Sequence, residues 1–398
     1  MTLFSNVELA PRDPILGITE QFLADPSPHK VNLGVGMYYD ENGKLPLLKC
    51  VAAAEQAMVE APTARGYLPI DGMAGYDKAA QRLAFGDASP AVVEQRIATV
   101  QGLGGTGALK VAADFLKRLQ PQARVLISDP SWENHRALFT QAGFEVGAYP
   151  YYDPASHGVR FDAMLAALNA AAPGTIVVLH ACCHNPTGCD LGAAQWSEVV
   201  ASARARGWIP LLDMAYQGFG HGLEEDAAAV RAFVDAGVEG LVATSFSKNF
   251  SLYGERIGAL SVVCSQPQET QRVLSQLKVL IRANYSNPPT HGAKAVAIVL
   301  ADPALRRLWQ DELAQMRDRI RHMREQLIAR LRAAGVQQDM SFIAAQQGMF
   351  SYSGLAADQM RRLRSEFSVY GVDSGRICVA ALNERNLDYV AQSIARVM

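Results

Sequence analysis

The sequence has few cysteines, no basic tract and no long apolar run, and each shortage removes a class of protein. Cys50, Cys182, Cys183, Cys189, Cys264 and Cys378 are its only cysteines. They are too scattered along 398 residues to form a disulfide framework, so reduced thiols are expected. The formal net charge is −2, with Lys and Arg dispersed along the chain, so there is no footprint for a nucleic-acid backbone. No apolar stretch approaches a membrane span, and the opening MTLFSNVELAPRDP lacks a basic region followed by an apolar one. A cytoplasmic protein without nucleic-acid or membrane partners is expected. Repeats, low-complexity tracts and extended linkers are also missing. His180, Cys182, Cys183, His184 and Cys189 could each ligate zinc, but no C-x₂-C pair accompanies them. Adjacent cysteines would also face opposite ways if the strand before them continued, so no metal site is expected.

What the chain does have is the length and composition of a soluble enzyme. At 398 residues it exceeds the usual reach of one core, and 49% apolar with 19% charged residues is ordinary. A turn at Arg12-Asp13-Pro14, a helix from Ile15 to Ala24 and a glycine-broken strand, Val31 to Gly36, come first. A helix from Val51 to Glu60 and an exposed loop, Gly66 to Gly72, carrying Tyr67 follow. From Arg96 strands and helices alternate, the pattern of a largely parallel α/β sheet. Strands are expected at 97–100, 125–127, 144–149, 176–180, 209–213, 241–244 and 257–263, with helices at 163–171 and 194–206. Asp302-Pro303 should cap a long helix that Gly335 stops, with Leu305, Leu308, Leu313, Met316, Ile320, Met323, Leu327 and Leu331 on its apolar face. Short strands at 348–352 and 377–379 and helices at 357–366 and 386–397 complete the tail.

The chemistry concentrates in LVATSFSKNFSLYGER, Leu241 to Arg256. An apolar run ends there in Ser245, Ser247 and Lys248, and the carboxyl ends of strands in open α/β sheets are where ligands bind. Phe246 and Phe250 would desolvate the lysine, lowering its pKa and favouring the neutral amine that attacks carbonyls. Two hydroxyls and Arg256 could hold a phosphate beside it, a combination that suggests pyridoxal phosphate bound as a Schiff base. Ser245-x-x-Lys248 also fits the S-x-x-K of serine acyl-hydrolases, whose partner motifs S-D-N and K-T-G are both missing. Gly102-x-Gly104-x-x-Gly107 follows a strand and opens a helix, and Asp129 lies 22 residues beyond Gly107. That is the dinucleotide fingerprint, and it makes a nicotinamide-dependent oxidoreductase the rival reading. Asp213, Tyr216, Asn185 and Trp132 fall at the ends of strands in the same sheet, on the rim that also carries Gly105, Thr106 and Lys248. Arg376, before an apolar strand, reads by itself as a surface arginine.

Taken in order, GGTGAL, SWENH, HNPTG, DMAYQGFG, SFSKNFSLYGER, IRANYSNPP and SGRICVA resemble the class I pyridoxal phosphate aminotransferases, in the branch of the aspartate and aromatic amino-acid enzymes. The resemblance covers almost the whole chain. It implies a fold-type I homodimer, with a large cofactor domain at 46–312 and a small domain built from 1–45 and 313–398. By the same resemblance Lys248 would carry the cofactor and act as general base. Asp213 would keep the pyridine nitrogen protonated, with His135 orienting it. Tyr216 and Asn185 would bond the ring hydroxyl, and Trp132 would stack on the ring. Gly105, Thr106, Ser245, Ser247 and Arg256 would hold the phosphate, joined by Tyr67 of the partner subunit. Arg376 would clamp the substrate α-carboxylate, Arg282 of the partner subunit would read a distal carboxylate, and Val35-Gly36 would border the substrate.

Every member of this branch must accept glutamate or 2-oxoglutarate, so Arg282 does not choose between aspartate and tyrosine as the other substrate. Ser251 stands where the aspartate enzymes often have glycine. With YLPIDG, SWENH and GVRFD it resembles the bacterial aromatic enzymes, whereas Asn249 and Asn287 match the aspartate ones. Aromatic amino acids are the expected substrates.

Overall fold

The computed structural model describes residues 2–10 and 15–398. The turn expected at Arg12-Asp13-Pro14 lies outside the described residues. A seven-stranded sheet organises the rest, formed by β2 (Ile97–Leu103), β3 (Arg124–Asp129), β4 (Glu145–Pro150), β7 (Ile176–His180), β8 (Ile209–Met214), β9 (Gly240–Ser245) and β10 (Ile257–Val263). Between β4 and β7 the chain makes a minor hairpin of β5 (Tyr152–Asp153) and β6 (Gly158–Val159). The strand order is β2-β10-β9-β8-β7-β3-β4. Neighbours pair in parallel from β9 through β4, and β10 alone runs antiparallel to both of its neighbours.

The central strands read as continuous apolar runs because both faces of the sheet are covered. Side chains alternate between two cores: Ile176 and Val178 join one while Val177 and Leu179 join the other, and Leu241 and Ala243 part from Val242 in the same way. The helix Gly104–Leu119 packs its buried Leu109, Val111, Ala112, Phe115 and Leu116 on one face. The expected strand after Arg96 is longer than its apolar stretch, taking in Gln101, Gly102 and Leu103 by pairing with β10, so the helix starts at Gly104.

The strand order removes the dinucleotide reading. A dinucleotide fold sets its first two strands side by side, but here β2 forms one edge and β3 lies five places away. At about 4.8 Å per strand, Asp129 at the end of β3 stands more than ~20 Å from the glycine turn.

Two further small sheets lie outside the large one, and the first of them ties the two ends of the chain together. β1 (Val31–Asn32) pairs in parallel with β12 (Val369–Tyr370), and β11 (Phe350–Tyr352) pairs antiparallel with β13 (Arg376–Cys378). The long helix runs Pro303–Ala333, and the Asp302 carboxylate caps it by accepting from the amides of Ala304 and Leu305. Its buried stripe starts at Trp309, with Leu305 and Leu308 only half-buried at its margin.

Among the described residues eight helices escape sequence patterning: Ala74–Phe85, Pro90–Val93, Glu133–Gln141, Leu223–Asp226, Ala228–Asp235, Pro267–Asn284, His291–Ala301 and Phe342–Ala345. None has a side-chain cap at its N-terminus, and His291–Ala301 is apolar and small almost throughout, leaving no periodicity to read. The proline-ended segment around Arg282 is therefore the last turn of a helix, followed by a loop. Among the described residues no helix is long and apolar enough to cross a membrane.

Candidate active site

The carboxyl ends of β7, β8 and β9 open into one cavity. Gly105, Thr106, Trp132, Asn185, Asp213, Tyr216, Ser245, Ser247, Lys248 and Arg256 all line it. Leu109, His180 and Ala215 line it too, and the sequence reading had not selected them.

Lys248 follows β9 in a turn pinned from below. Phe250 stacks on the fully buried Trp309 with ring centroids 4.6 Å apart, and the Trp309 indole N–H donates to the carbonyl of Asn249 at 2.7 Å. Asn249 in turn donates to the carbonyl of Gln217 at 3.2 Å, and Phe246 meets Phe250 edge-on. A tryptophan 61 positions beyond the lysine thus holds its backbone in place. The side chain keeps some exposure because it faces the cavity, with its ammonium 5.3 Å from the centre of the Tyr216 ring. Burial pushes the Lys248 pKa down to about 8, Arg256 adds to the shift and Asp213 opposes it.

Asp213 is almost fully buried near the end of β8, directly across from His180 on β7. Burial acts to raise its pKa, but the hydrogen bond and charge of His135 outweigh that and hold the carboxyl below its ordinary value. His135 Nε2 lies 3.0 Å from Asp213 Oδ2, and its Nδ1 lies 2.9 Å from Ser131 Oγ. Trp132 packs edge-on against the same imidazole, with centroids 5.2 Å apart. His180 is pushed down to about 3 by burial and by His135, and neither of its ring nitrogens has a partner. It is therefore a neutral ring at the floor of the cavity.

At the opposite end the cavity meets the first turn of the helix Gly104–Leu119, which has no side-chain cap. Its free amides make an anion site, flanked by the Ser245 and Ser247 hydroxyls and by Arg256. The glycines are needed for close approach: Gly104 has φ +68°, and a Cβ there would come within 2.6 Å of the Arg256 guanidinium. The Gly104 amide also donates to the carbonyl of Arg256 at 2.8 Å, joining the two sides of the cradle.

Arg376 is no surface residue. It begins β13 with 1% of its surface exposed, because the pairing with β11 turns it inward. It donates to Asn185 Oδ1 at 3.1 Å and to the carbonyl of Gly34 at 2.7 Å, lies over the Phe350 ring at 4.4 Å, and keeps its Nε unpartnered. Gly36 borders the same spot, where an added Cβ would sit 2.5 Å from Phe350 Cζ. Tyr67 and Arg282 stay out of the cavity their own chain lines: Tyr67 is 95% exposed, and the exposed Arg282 donates to Ser286 Oγ.

The cysteine cluster differs from expectation. β7 stops at His180 and Cys183 turns to φ +51°, so Cys182 and Cys183 bring their sulfurs to one side, within 4.8 Å of the Asp226 carboxylate. That carboxylate is taken up by the amides of Gly218, Gly220 and His221. His135, His180 and Asp213 are similarly close, but Ser131 and Asp213 occupy both nitrogens of His135.

A desolvated amine between a buried carboxylate and an anion cradle, at the carboxyl rim of a mostly parallel sheet, defines a pocket for a phosphorylated carbonyl compound. The family model for class I and II aminotransferases matches residues 28–394. The chain is 58% identical over 398 residues to an aspartate aminotransferase of Pseudomonas aeruginosa, and 51% identical over 397 residues to an aromatic-amino-acid aminotransferase of Escherichia coli, each match covering 100% of both chains. Among solved structures, an aromatic-amino-acid aminotransferase from Burkholderia pseudomallei covalently bound to pyridoxal phosphate is 64% identical with a TM-score of 0.97, also over 100% of both chains. The chain belongs to the class I and II aminotransferases.

Proposed function

We propose that this protein is a pyridoxal phosphate-dependent aminotransferase that moves the amino group of tyrosine or phenylalanine to 2-oxoglutarate. The observation that carries the reaction class is the placement of Lys248, lowered to about 8, in one cavity with Asp213 and an uncapped helix N-terminus. The cavity fits the cofactor: amides without a cap and two hydroxyls suit a phosphate, and a carboxylate below its usual range suits a protonated ring nitrogen. When bound, pyridoxal phosphate supplies a carbonyl that exchanges with the substrate amine and a ring that draws electrons from the substrate Cα.

The chain's residues do the rest. Gly105, Thr106, Ser245, Ser247 and Arg256 hold the phosphate. Asp213, oriented by His135, keeps a proton on the ring nitrogen. Tyr216 and Asn185 would donate to the ring hydroxyl, and Trp132 would cover the ring face. Lys248 would hold the cofactor through its amine and would serve as the base that moves the Cα proton. Arg376, aligned by Asn185 and Phe350, grips the substrate α-carboxylate as a fork, with Gly36 leaving room beside it. Tyr67 and Arg282, exposed on their own chain, complete the site of a second copy, Tyr67 at the phosphate and Arg282 at the distal carboxylate, in a cytoplasmic homodimer. The two domains are 46–312, holding the large sheet, and 1–45 with 313–398; the pairing of β1 with β12 and β11 with β13 supports that division.

The relatives carry both substrate names. The aromatic choice is supported by Ser251, whose φ of +56° is a conformation glycine would adopt more easily and whose hydroxyl donates to the carbonyl of Pro46 at 2.9 Å. The second reading, aspartate as amino donor, is favoured by Asn249 and Asn287. Mixing the holoenzyme with single amino acids and following conversion to the pyridoxamine form decides between them. Tyrosine and phenylalanine are expected to convert it rapidly, and conversion by aspartate alone would reject the aromatic choice.

A further inference from the structure

Gln101 is fully buried on β2, four residues before Gly105, and every polar group it has reaches a segment that ends in an exposed site residue. β2 is an edge strand, so at Gln101 the backbone faces away from the sheet. Its amide donates to the carbonyl of Asp71 at 2.8 Å, and its carbonyl accepts from the Tyr285 hydroxyl at 3.3 Å. Its side chain accepts from the Met73 amide at 3.4 Å and donates to the carbonyl of Pro289 at 2.7 Å. Asp71 and Met73 close the loop that carries Tyr67, while Tyr285 and Pro289 bracket the loop that follows Arg282. Gly72, at φ +113°, makes the approach possible, since a Cβ there would fall 2.4 Å from that of Gln101. A second tie joins the two segments directly: Lys278 lies 3.0 Å from the Asp71 carboxylate, one helical turn before Arg282 and on the same face.

We propose that Gln101 is a positioning residue that fixes, from one point beside the phosphate-binding turn, both segments this chain extends toward a second copy. The inference rests on the shared-site dimer proposed above. Losing the Gln101 side chain should then damage the partner's site rather than the site of the chain that carries the change.

Hybrid dimers test this. Gln101→Leu keeps the backbone bonds and removes both side-chain bonds, and its homodimer should show a KM for 2-oxoglutarate raised ~10-fold with kcat within ~2-fold. Paired with a Lys248→Ala subunit, the Gln101→Leu subunit owns the one working site but receives Tyr67 and Arg282 from an intact neighbour, so KM should return to the wild-type value. Placing both changes in one subunit and pairing it with wild type should raise KM again. The amides of Leu68 and of residues 70–73 should also exchange hydrogen faster in the apoprotein of the variant. An unchanged KM in the homodimer, or a raised KM that follows the subunit carrying Lys248, overturns the proposal. Should Gln101→Leu fail to fold, a change at the half-buried Lys278, Lys278→Met, is put through the same pairings, with a ~3-fold KM change expected to follow the lending subunit and the same outcomes overturning the proposal. A chain that sediments as a monomer with full activity overturns the shared-site reading itself, and is distinct from a dimer whose KM follows the wrong subunit.

Discussion

The two halves of the site are built by opposite means. Around Lys248 and Asp213 the chain supplies everything: strand ends set the positions, Trp309 pins the turn beneath, His135 bonds the carboxylate, and the surroundings lower the pKa values of the lysine and the aspartate. Tyr67 and Arg282 stand on an exposed surface, outside the cavity, on segments held by hydrogen bonds to Gln101 and by the Lys278–Asp71 ion pair. The first half is preorganised by burial, which fixes charge states as well as positions. In the shared-site dimer proposed above, the second half would gain its surroundings from another copy, so its residues should matter to affinity more than to the fold of the chain that carries them.

The widest gap between the halves should appear on removing the amine. Lys248→Ala is expected to lower turnover ~10⁴-fold and to abolish the absorbance of covalently held cofactor, as measured by stopped-flow and spectroscopy on a protein of unchanged secondary structure. Preserved turnover would show that another group serves as base. The next largest effect is pH. A lysine with a pKa of about 8 is mostly protonated below that value, and each further unit of acid reduces the neutral amine about tenfold. Covalent uptake of pyridoxal phosphate by the apoprotein should therefore slow ~50-fold between pH 8 and pH 6 and gain only about twofold more above pH 8 before it levels off. A profile still rising steeply through pH 10 would mean that burial does not lower this amine.

The buried half was also the more legible in sequence. Strands covered on both faces spell themselves as apolar runs, and a polar residue that interrupts such a run at its end, as Asp213 and Ser245 do, stands out. The strand order could not be read this way, because it depends on contacts between distant segments. The glycine turn therefore carried a dinucleotide signature that only the separation of β2 from β3 removes. Trp309 and Gln101 gave no local signal: each acts through a partner dozens of residues away, Asn249 or Pro289. Arg376 was misread in isolation because its burial comes from the pairing of β13 with β11, and the sequence shows the two short strands but not that they pair. Tyr67 and Arg282 were legible only through the family motifs, since one chain gives them no site.

A guanidinium fork divides from a single ammonium more modestly than presence divides from absence. Arg376→Lys keeps the charge but loses the paired donors that now reach Asn185 and Gly34, and it loses the flat contact with Phe350. KM for every amino acid, aromatic or dicarboxylic, should rise ~10–100-fold, the worth of one or two charge-assisted hydrogen bonds. A rise confined to dicarboxylic substrates would move this arginine from the α-carboxylate to the side-chain end. The smallest effect should come from the exposed half. At 95% exposure Tyr67 buries almost nothing in its own chain, so Tyr67→Phe should leave the melting temperature of the apoprotein within ~1 °C, as surface changes of this kind do. If its hydroxyl reaches the phosphate of the partner's cofactor, removing it costs one hydrogen bond, about 1 kcal/mol, and weakens cofactor binding ~5-fold. Equilibrium titration of the apoprotein with pyridoxal phosphate reads that difference directly. An unchanged affinity would confine this tyrosine to its own surface and leave the phosphate to the groups that one chain buries.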